Sequence, residues 1–246
     1  RAIINGLNAI AFNVASAIMM FFTPNFVSLF GSWQHTLLAI SIASMLMLVS
    51  WMVFGKIDLP NNLTSEHKVI KNYTIVDGLK DKFNWLYAFT YSGLLAFYIV
   101  LFTFYPKAGI TQAKQVILFG IVGAIVGMIY SSKSAKRIVI LRISGVLQII
   151  AAFGLSFSAN NPTQAYVAAA MLGFFMFLPM PALVTYAQER KDVTAQKISV
   201  TFSLFWSISY SVATIMTTVF AKIVDVNNGD YHNAFIFICV IESTFL

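Results

Sequence analysis

The sequence predicts an all-α protein, a polytopic bundle of transmembrane helices. Of its 246 residues, 59% are hydrophobic and only 10% are charged, whereas soluble domains have about 45–50% apolar and about 25% charged residues. Eight long apolar segments follow one another along the chain. Each of the first seven has roughly the 17–28 residues that a tilted helix needs to cross a hydrocarbon core about 30 Å thick. We therefore expect a multi-pass integral membrane protein.

Each predicted span is an apolar run that ends where polar, charged or turn-forming residues collect. A short turn, residues 31–35, separates the first two spans, and a polar stretch, residues 56–83, follows the second. The sixth span contains Pro179 and Pro181, which lack an amide N–H and therefore predict a break or kink. In chain order, the spans cover residues 3–30, 36–54, 84–105, 115–131, 138–157, 165–187, 198–221 and 234–246.

The distribution of positive charge predicts the orientation of the chain in the membrane. The net charge is +7, and most Lys and Arg residues lie in the connections after the second, fourth and sixth spans. Connections rich in Lys and Arg are cytoplasmic, so the loop of residues 56–83 is expected on the cytoplasmic side. Because the basic residues lie in loops between apolar spans, they indicate topology and not a nucleic-acid-binding surface.

The distribution of reactive side chains argues against catalysis and metal binding. Cys239 is the single cysteine, so a disulfide within the chain is excluded. The first seven spans contain no acid and no histidine, whereas a membrane-embedded enzyme needs such groups at one depth. We predict no catalytic residue, no metal site and no cofactor. Glu242 is the only acid inside an apolar run, and such residues are often functional.

Three spans carry a polar or aromatic stripe along one helix face. At about 100° per residue, each stripe falls within a sector of roughly 60–80°. Lipid offers no hydrogen-bond partner, so such a stripe faces either a solute cavity or a neighbouring helix. The candidate cavity residues are Asn5, Asn8 and Ser16 in the first span, Tyr91 and Tyr98 in the third, and Ser203, Trp206, Ser207, Tyr210 and Thr214 in the seventh.

The first and seventh spans also resemble each other in sequence. Aligning Phe12 with Tyr210 pairs the run Phe-Asn-Val-Ala-Ser-Ala-Ile-Met with Tyr-Ser-Val-Ala-Thr-Ile-Met-Thr. Two similar spans six positions apart suggest an internal duplication. Parallel six-span repeats are typical of one class of secondary transporters.

Two connecting segments resemble those of the major facilitator superfamily. Residues 31–35, Gly-Ser-Trp-Gln-His, are similar to the Gly-Trp-Arg-like turn between the family's fifth and sixth helices. Residues 127–137 resemble its signature cytoplasmic loop, but Ser131 replaces the acid and Ala135 the second glycine. The resemblance implies a gating role for this loop, although the replaced acid argues against a gating salt bridge there. The gating candidates are Gly127, Ser131, Lys133, Lys136 and Arg137.

The resemblance also implies a domain organisation. It identifies the chain as a fragment resembling helices five to twelve, with eight spans visible of an expected twelve. Residues 1–55 would then hold the last two helices of the N-terminal half, and residues 56–83 would form the central cytoplasmic loop. Residues 84–246 would form the C-terminal six-helix half, with its last helix truncated.

The function implied by the resemblance is secondary active transport. We expect a permease or efflux protein of the plasma membrane that moves a small solute by alternating access, coupled to an ion, the proton. The expected partners are a small-molecule substrate, the lipid bilayer and protons, and not nucleic acid. The alternative is a non-transporting membrane receptor or a channel-like protein.

Overall fold

A computed structural model of the chain describes residues 2–55, 73–191 and 193–246. Within these ranges the regular secondary structure is helical, with no strand. The α-helices are α1 (Ala2–Phe30), α2 (Trp33–Phe54), α3 (Ile75–Lys80), α4 (Lys82–Thr103), α5 (Gln115–Lys133), α6 (Arg137–Ser156), α7 (Pro162–Phe177), α8 (Met180–Gln188), α9 (Ala195–Val226) and α10 (His232–Glu242).

The described residues contain seven helical segments that are long and apolar enough to cross a membrane. They correspond to the first seven predicted spans, and the eighth corresponds to a shorter apolar helix, His232–Phe245. The predicted all-helical membrane bundle is therefore confirmed. The break predicted in the sixth span is also present, because α7 ends at Phe177 and α8 begins at Met180, one residue after Pro179.

The chain divides into two compact units, Arg1–Ser16 with Tyr73–Leu246, and Ala17–Asn72. In the second unit, the turn between α1 and α2 depends on Gly31, whose φ of 76° suits a residue without a Cβ. Ser32 then caps α2 by accepting a hydrogen bond from the His35 amide at 3.2 Å. The domain division proposed from the sequence, at residues 56–83, stays a prediction.

The core of the first unit forms where α4 packs against α9 and where α7 packs against α5 and α6. The helices α5 and α7 approach closely because a glycine on each helix faces the backbone of the other. A Cβ on Gly123 would overlap the carbonyl of Phe174, and a Cβ on Gly173 would overlap that of Val116. Glycines at these two positions therefore fix the distance between the helices.

The end of the predicted cytoplasmic loop is helical, which the hydropathy pattern did not predict. Thr74 and Asp77 form a reciprocal capping box at the start of α3. Asp81 then ends α3 and caps α4 by accepting from the Phe83 amide at 3.0 Å. The third span therefore starts at Lys82, and residues 56–72 of the predicted loop lie outside the described residues.

Candidate functional site

Four aromatic side chains on α4 and α9 form a surface that we call the aromatic wall: Tyr91, Tyr98, Trp206 and Tyr210. The Trp206 ring lies perpendicular to Tyr91 at 5.6 Å and is 5.9 Å from the Tyr210 ring. Tyr91 and Tyr98 are half-buried, whereas Trp206 is 43% and Tyr210 is 52% exposed. The wall therefore combines fixed rings on α4 with accessible rings on α9.

The wall is supported from behind by buried aromatic packing. The Phe205 ring lies 4.9 Å from Tyr91 and 4.4 Å from Tyr87. The Tyr87 hydroxyl donates to the carbonyl of Leu183 at 3.1 Å, which ties α4 to α8. Because Tyr87 and Phe205 are buried and packed, they hold Tyr91 in place.

The predicted hydroxyl stripe of α9 lies on the same exposed side as Trp206 and Tyr210. Ser203, Ser207 and Thr214 are all exposed. The Thr214 hydroxyl donates to the Tyr210 carbonyl at 2.8 Å, as hydroxyls in membrane helices commonly do. The stripe adds small polar groups along the edge of the aromatic wall.

The candidate residues of α1 have different surroundings. The Ser16 side chain lies near the Tyr98 hydroxyl, and the Phe12 ring of the same helix is 6.3 Å from the Tyr98 ring, so Ser16 lies beside the aromatic wall. Asn8 is exposed. The amide nitrogen of Asn5 instead donates to Thr185 Oγ1 and Gln188 Oε1, both at 3.0 Å. Asn5 therefore joins α1 to α8, which agrees with the packing interpretation of this residue.

The predicted gating loop is anchored by Arg137. Its guanidinium binds the Glu189 carboxylate through two hydrogen bonds, of 2.9 and 3.1 Å, and donates to the carbonyls of Ser131 and Ser134. Gly127 lies against the backbone of Leu178. Ser131 is buried, and its hydroxyl has no hydrogen-bond partner among the described residues. Lys133 and Lys136 are exposed.

Glu189 is the residue that the sequence interpretation missed. The loop lacks its own acid at Ser131, and the carboxylate comes instead from the end of α8, 52 residues after Arg137. The signal in the sequence was the adjacent pair Glu189-Arg190, an acid and a base immediately after an apolar span.

Arg190 forms a second ion pair on the same side of the bundle. Its guanidinium lies 3.0 Å from the Asp81 carboxylate and 3.8 Å from the centre of the Phe83 ring. Burial raises the pKa of Asp81, but the Phe83 amide and Arg190 outweigh it and hold this pKa below its usual value. Glu189 and Arg190 thus connect the end of α8 to two other helix junctions.

The described residues contain no group of three or more His, Cys, Asp or Glu side chains that could hold a metal ion. The arrangement of the aromatic wall suits reversible contact with a solute, because ring faces and hydroxyls can stack and form hydrogen bonds.

The family model for the Major Facilitator Superfamily matches residues 1–241. The chain therefore belongs to the Major Facilitator Superfamily and is a multi-pass membrane protein of a transporter family. A search of curated proteins gave no significant match to an individual protein.

Proposed function

We propose that this protein is a secondary active transporter that moves a small solute by alternating access, with the aromatic wall as part of the solute path. The observation that carries the proposal is the exposure of Trp206 and Tyr210 in the middle of a membrane-length helix. Both side chains carry a donor that needs a partner when it leaves water. A solute or water in a central cavity supplies that partner, and lipid does not.

The chemistry of the wall favours an uncharged or amphipathic solute. No charged residue occurs between Lys82 and Lys107, the segment that contains α4, or between Lys197 and Lys222 on α9. The wall therefore offers ring faces, hydroxyls and an indole N–H. A fixed charge that recognises an ionic solute would have to come from elsewhere in the cavity.

Two features support alternating access. The ion pairs Arg137–Glu189 and Arg190–Asp81 connect helix ends on the predicted cytoplasmic side and can separate when that side opens. The break between α7 and α8 gives a point at which one segment can move relative to the other. We propose the proton as the coupling ion and the cell membrane as the location, and we assign no catalytic residue.

Transport by the full-length protein in proteoliposomes tests the proposal. An internal pH dye reports proton movement while gradients of drugs, sugars and small organic anions are imposed in turn. We expect one solute class to move together with protons. Trp206→Ala or Tyr210→Ala should lower that flux roughly three- to tenfold, because one aromatic contact is lost.

Ile215→Ala is the matched control. Ile215 is 58% exposed on the same helix but lies about 140° around it from Tyr210. Its substitution should leave the flux unchanged. Folded protein that moves none of the solute classes would contradict the proposal and favour a receptor.

A further inference from the structure

The interface between α6 and α10 contains buried polar side chains that the aromatic wall does not use. Glu242 on α10 and Ser144 and Gln148 on α6 are all 0% exposed. Both carboxyl oxygens of Glu242, both amide atoms of Gln148 and the Ser144 hydroxyl have no hydrogen-bond partner among the described residues. Buried polar groups without hydrogen-bond partners are rare in folded proteins, so this cluster needs an explanation.

Two contacts locate these groups within the interface. Ser156 Oγ lies 3.2 Å from Cys239 Sγ, and a Cβ on Gly145 would lie 3.4 Å from the Phe245 ring. Glu242 comes after Cys239 and before Phe245, and Gln148 comes after Gly145 and before Ser156. Both side chains therefore belong to the stretch of interface between these two contacts.

This stretch lies away from the aromatic wall. The backbone of Ile241 on α10 packs against Gly93 of α4. Gly93 and Tyr91 are two residues apart on one helix, and so point in directions roughly 160° apart. The Glu242 region and the aromatic wall are thus on opposite sides of α4.

Among the described residues, no cationic side chain compensates the charge that an ionised Glu242 would carry. The elements packed against α10 are α4, α6 and α9. Tyr105, which follows α4, and Cys239 on α10 itself are the titratable groups that interact with Glu242. The ionisable groups of α6 and α9 have other surroundings: Arg137 is paired with Glu189, Lys197 lies over the Tyr73 ring, and Arg142, Tyr210, Lys222 and Asp225 are exposed.

Ionising a buried carboxyl that has no cation beside it is strongly unfavourable, so the neutral acid is the stable form in this environment. The neutral acid carries one O–H donor, and the Gln148 amide oxygen is an acceptor in the same interface. Three further polar groups lie next to one another at the Cys239 end of this interface. Ser156 Oγ lies 2.6 Å from the Tyr105 hydroxyl and also contacts the Cys239 thiol. Hydroxyl and thiol groups of this kind can pass a proton.

We propose that Glu242 is an exchangeable proton-binding site in the α6–α10 interface, separate from the aromatic wall. The carboxyl holds its proton while the interface is closed, and ionises when movement of α10 admits water. The ligand is the proton itself. The proposal does not depend on which solute the protein carries, and it holds or fails independently of the proposed function.

Carbodiimide labelling of the full-length protein in phosphatidylcholine vesicles tests the proposal. The apolar reagent dicyclohexylcarbodiimide reacts with protonated carboxyls in apolar surroundings, and the modified peptide is identified by mass spectrometry. We expect Glu242 to be labelled while its carboxyl is protonated and to lose the label in a single step as the pH is raised. The water-soluble reagent should label exposed acids such as Asp225 and Asp230 and leave Glu242 unmodified.

Glu242→Gln is the matched variant, because the amide has the shape of the neutral acid and carries no exchangeable carboxyl proton. It should lose the label completely. The titration of the wild-type peptide decides the question even where the variant folds poorly. Absence of the label at every pH, a label that does not change with pH, or preferential labelling by the water-soluble reagent would each overturn the proposal.

Discussion

Arg137 connects the predicted gating loop to the end of α8 through one side chain. It contacts two carbonyls of its own loop and the Glu189 carboxylate at the end of α8. Its importance could be predicted from the paired basic residues of the loop. Its partner could not, because hydropathy and helical periodicity say nothing about which helix ends meet across the bundle.

Substitutions in this ion pair should have unequal effects on stability. Arg137→Gln should cost about 2–3 kcal/mol, because it removes a buried group that serves several acceptors. Glu189→Gln should cost about 1 kcal/mol or less, since Glu189 is 45% exposed on its side chain and water screens it. Thermal unfolding in detergent measures both. The exposed neighbour Lys136→Gln is the control, and an equal loss in all three variants would contradict this account.

The Asp81–Arg190 pair should make stability depend on pH in the acidic range. The pKa of Asp81 is lower in the folded chain than its usual value of 3.8. The charge of Asp81 therefore stabilises the folded chain. This stabilisation is fully present when the pH is above the usual pKa of 3.8 and is lost as the pH falls through the lower pKa of the folded chain. Asp81→Asn keeps a residue able to cap α4 and removes only the charge.

The midpoint of unfolding of Asp81→Asn should therefore lie below that of the wild type at neutral pH, and the two should converge as the solution is acidified below the pKa of Asp81. The comparison needs one detergent and one salt concentration throughout, because salt screens exposed pairs. A difference that stays constant down to the most acidic pH would show that the charge is not the cause.

Among the helices, α5 packs closely against α7. A Cβ on Gly123 or Gly173 would overlap the backbone of the opposite helix, which cannot move as a side chain can. Gly123→Ala and Gly173→Ala should each destabilise the protein by about 1–3 kcal/mol through overpacking. Thermal unfolding of the purified variants measures the loss.

Gly154 provides a control for that prediction. It lies inside α6, and a Cβ there would meet only Ala168 at an ordinary distance of 3.5 Å. Gly154→Ala should be neutral or should stabilise the protein by up to about 1 kcal/mol, since alanine favours the helix. If Gly123→Ala and Gly154→Ala destabilise the protein equally, close helix packing is not the reason for the glycine at position 123.

The long helices could be predicted because a membrane span needs one simple property, a run of apolar residues of the right length. The break before α8 was predictable because proline lacks a donor. The helix α3 was missed because six residues are too few to show a periodic apolar pattern. Its only signal was the capping pair Thr74 and Asp77.

At the level of the whole molecule, the sequence predicted the family but only part of the arrangement around the candidate site. The stripe on α9 and the tyrosines on α4 could be predicted from periodicity, and they lie together in the structure. Asn5 donates to two side chains of α8, a contact that periodicity cannot predict, and its place in the cavity stays a prediction. A polar residue facing a cavity and one facing a neighbouring helix occupy equivalent positions in a sequence pattern.

The measurement that tests the central claim most directly is the reaction of single cysteines on α9 with a water-soluble maleimide. Cys239 is the single cysteine of this sequence, so Cys239→Ser, together with replacement of any cysteine elsewhere in the full-length protein, gives the background for Ser207→Cys, Thr214→Cys and Ile215→Cys. The protein is embedded in lipid vesicles during the reaction.

We expect positions 207 and 214 to react, because the proposed solute path along the aromatic wall is water-filled. Position 215 should remain unmodified, because it faces lipid in this account. Adding a transported solute should slow the reaction at positions 207 and 214. If position 215 reacts as fast as the other two, or if none reacts in folded protein, the wall does not line a solute path.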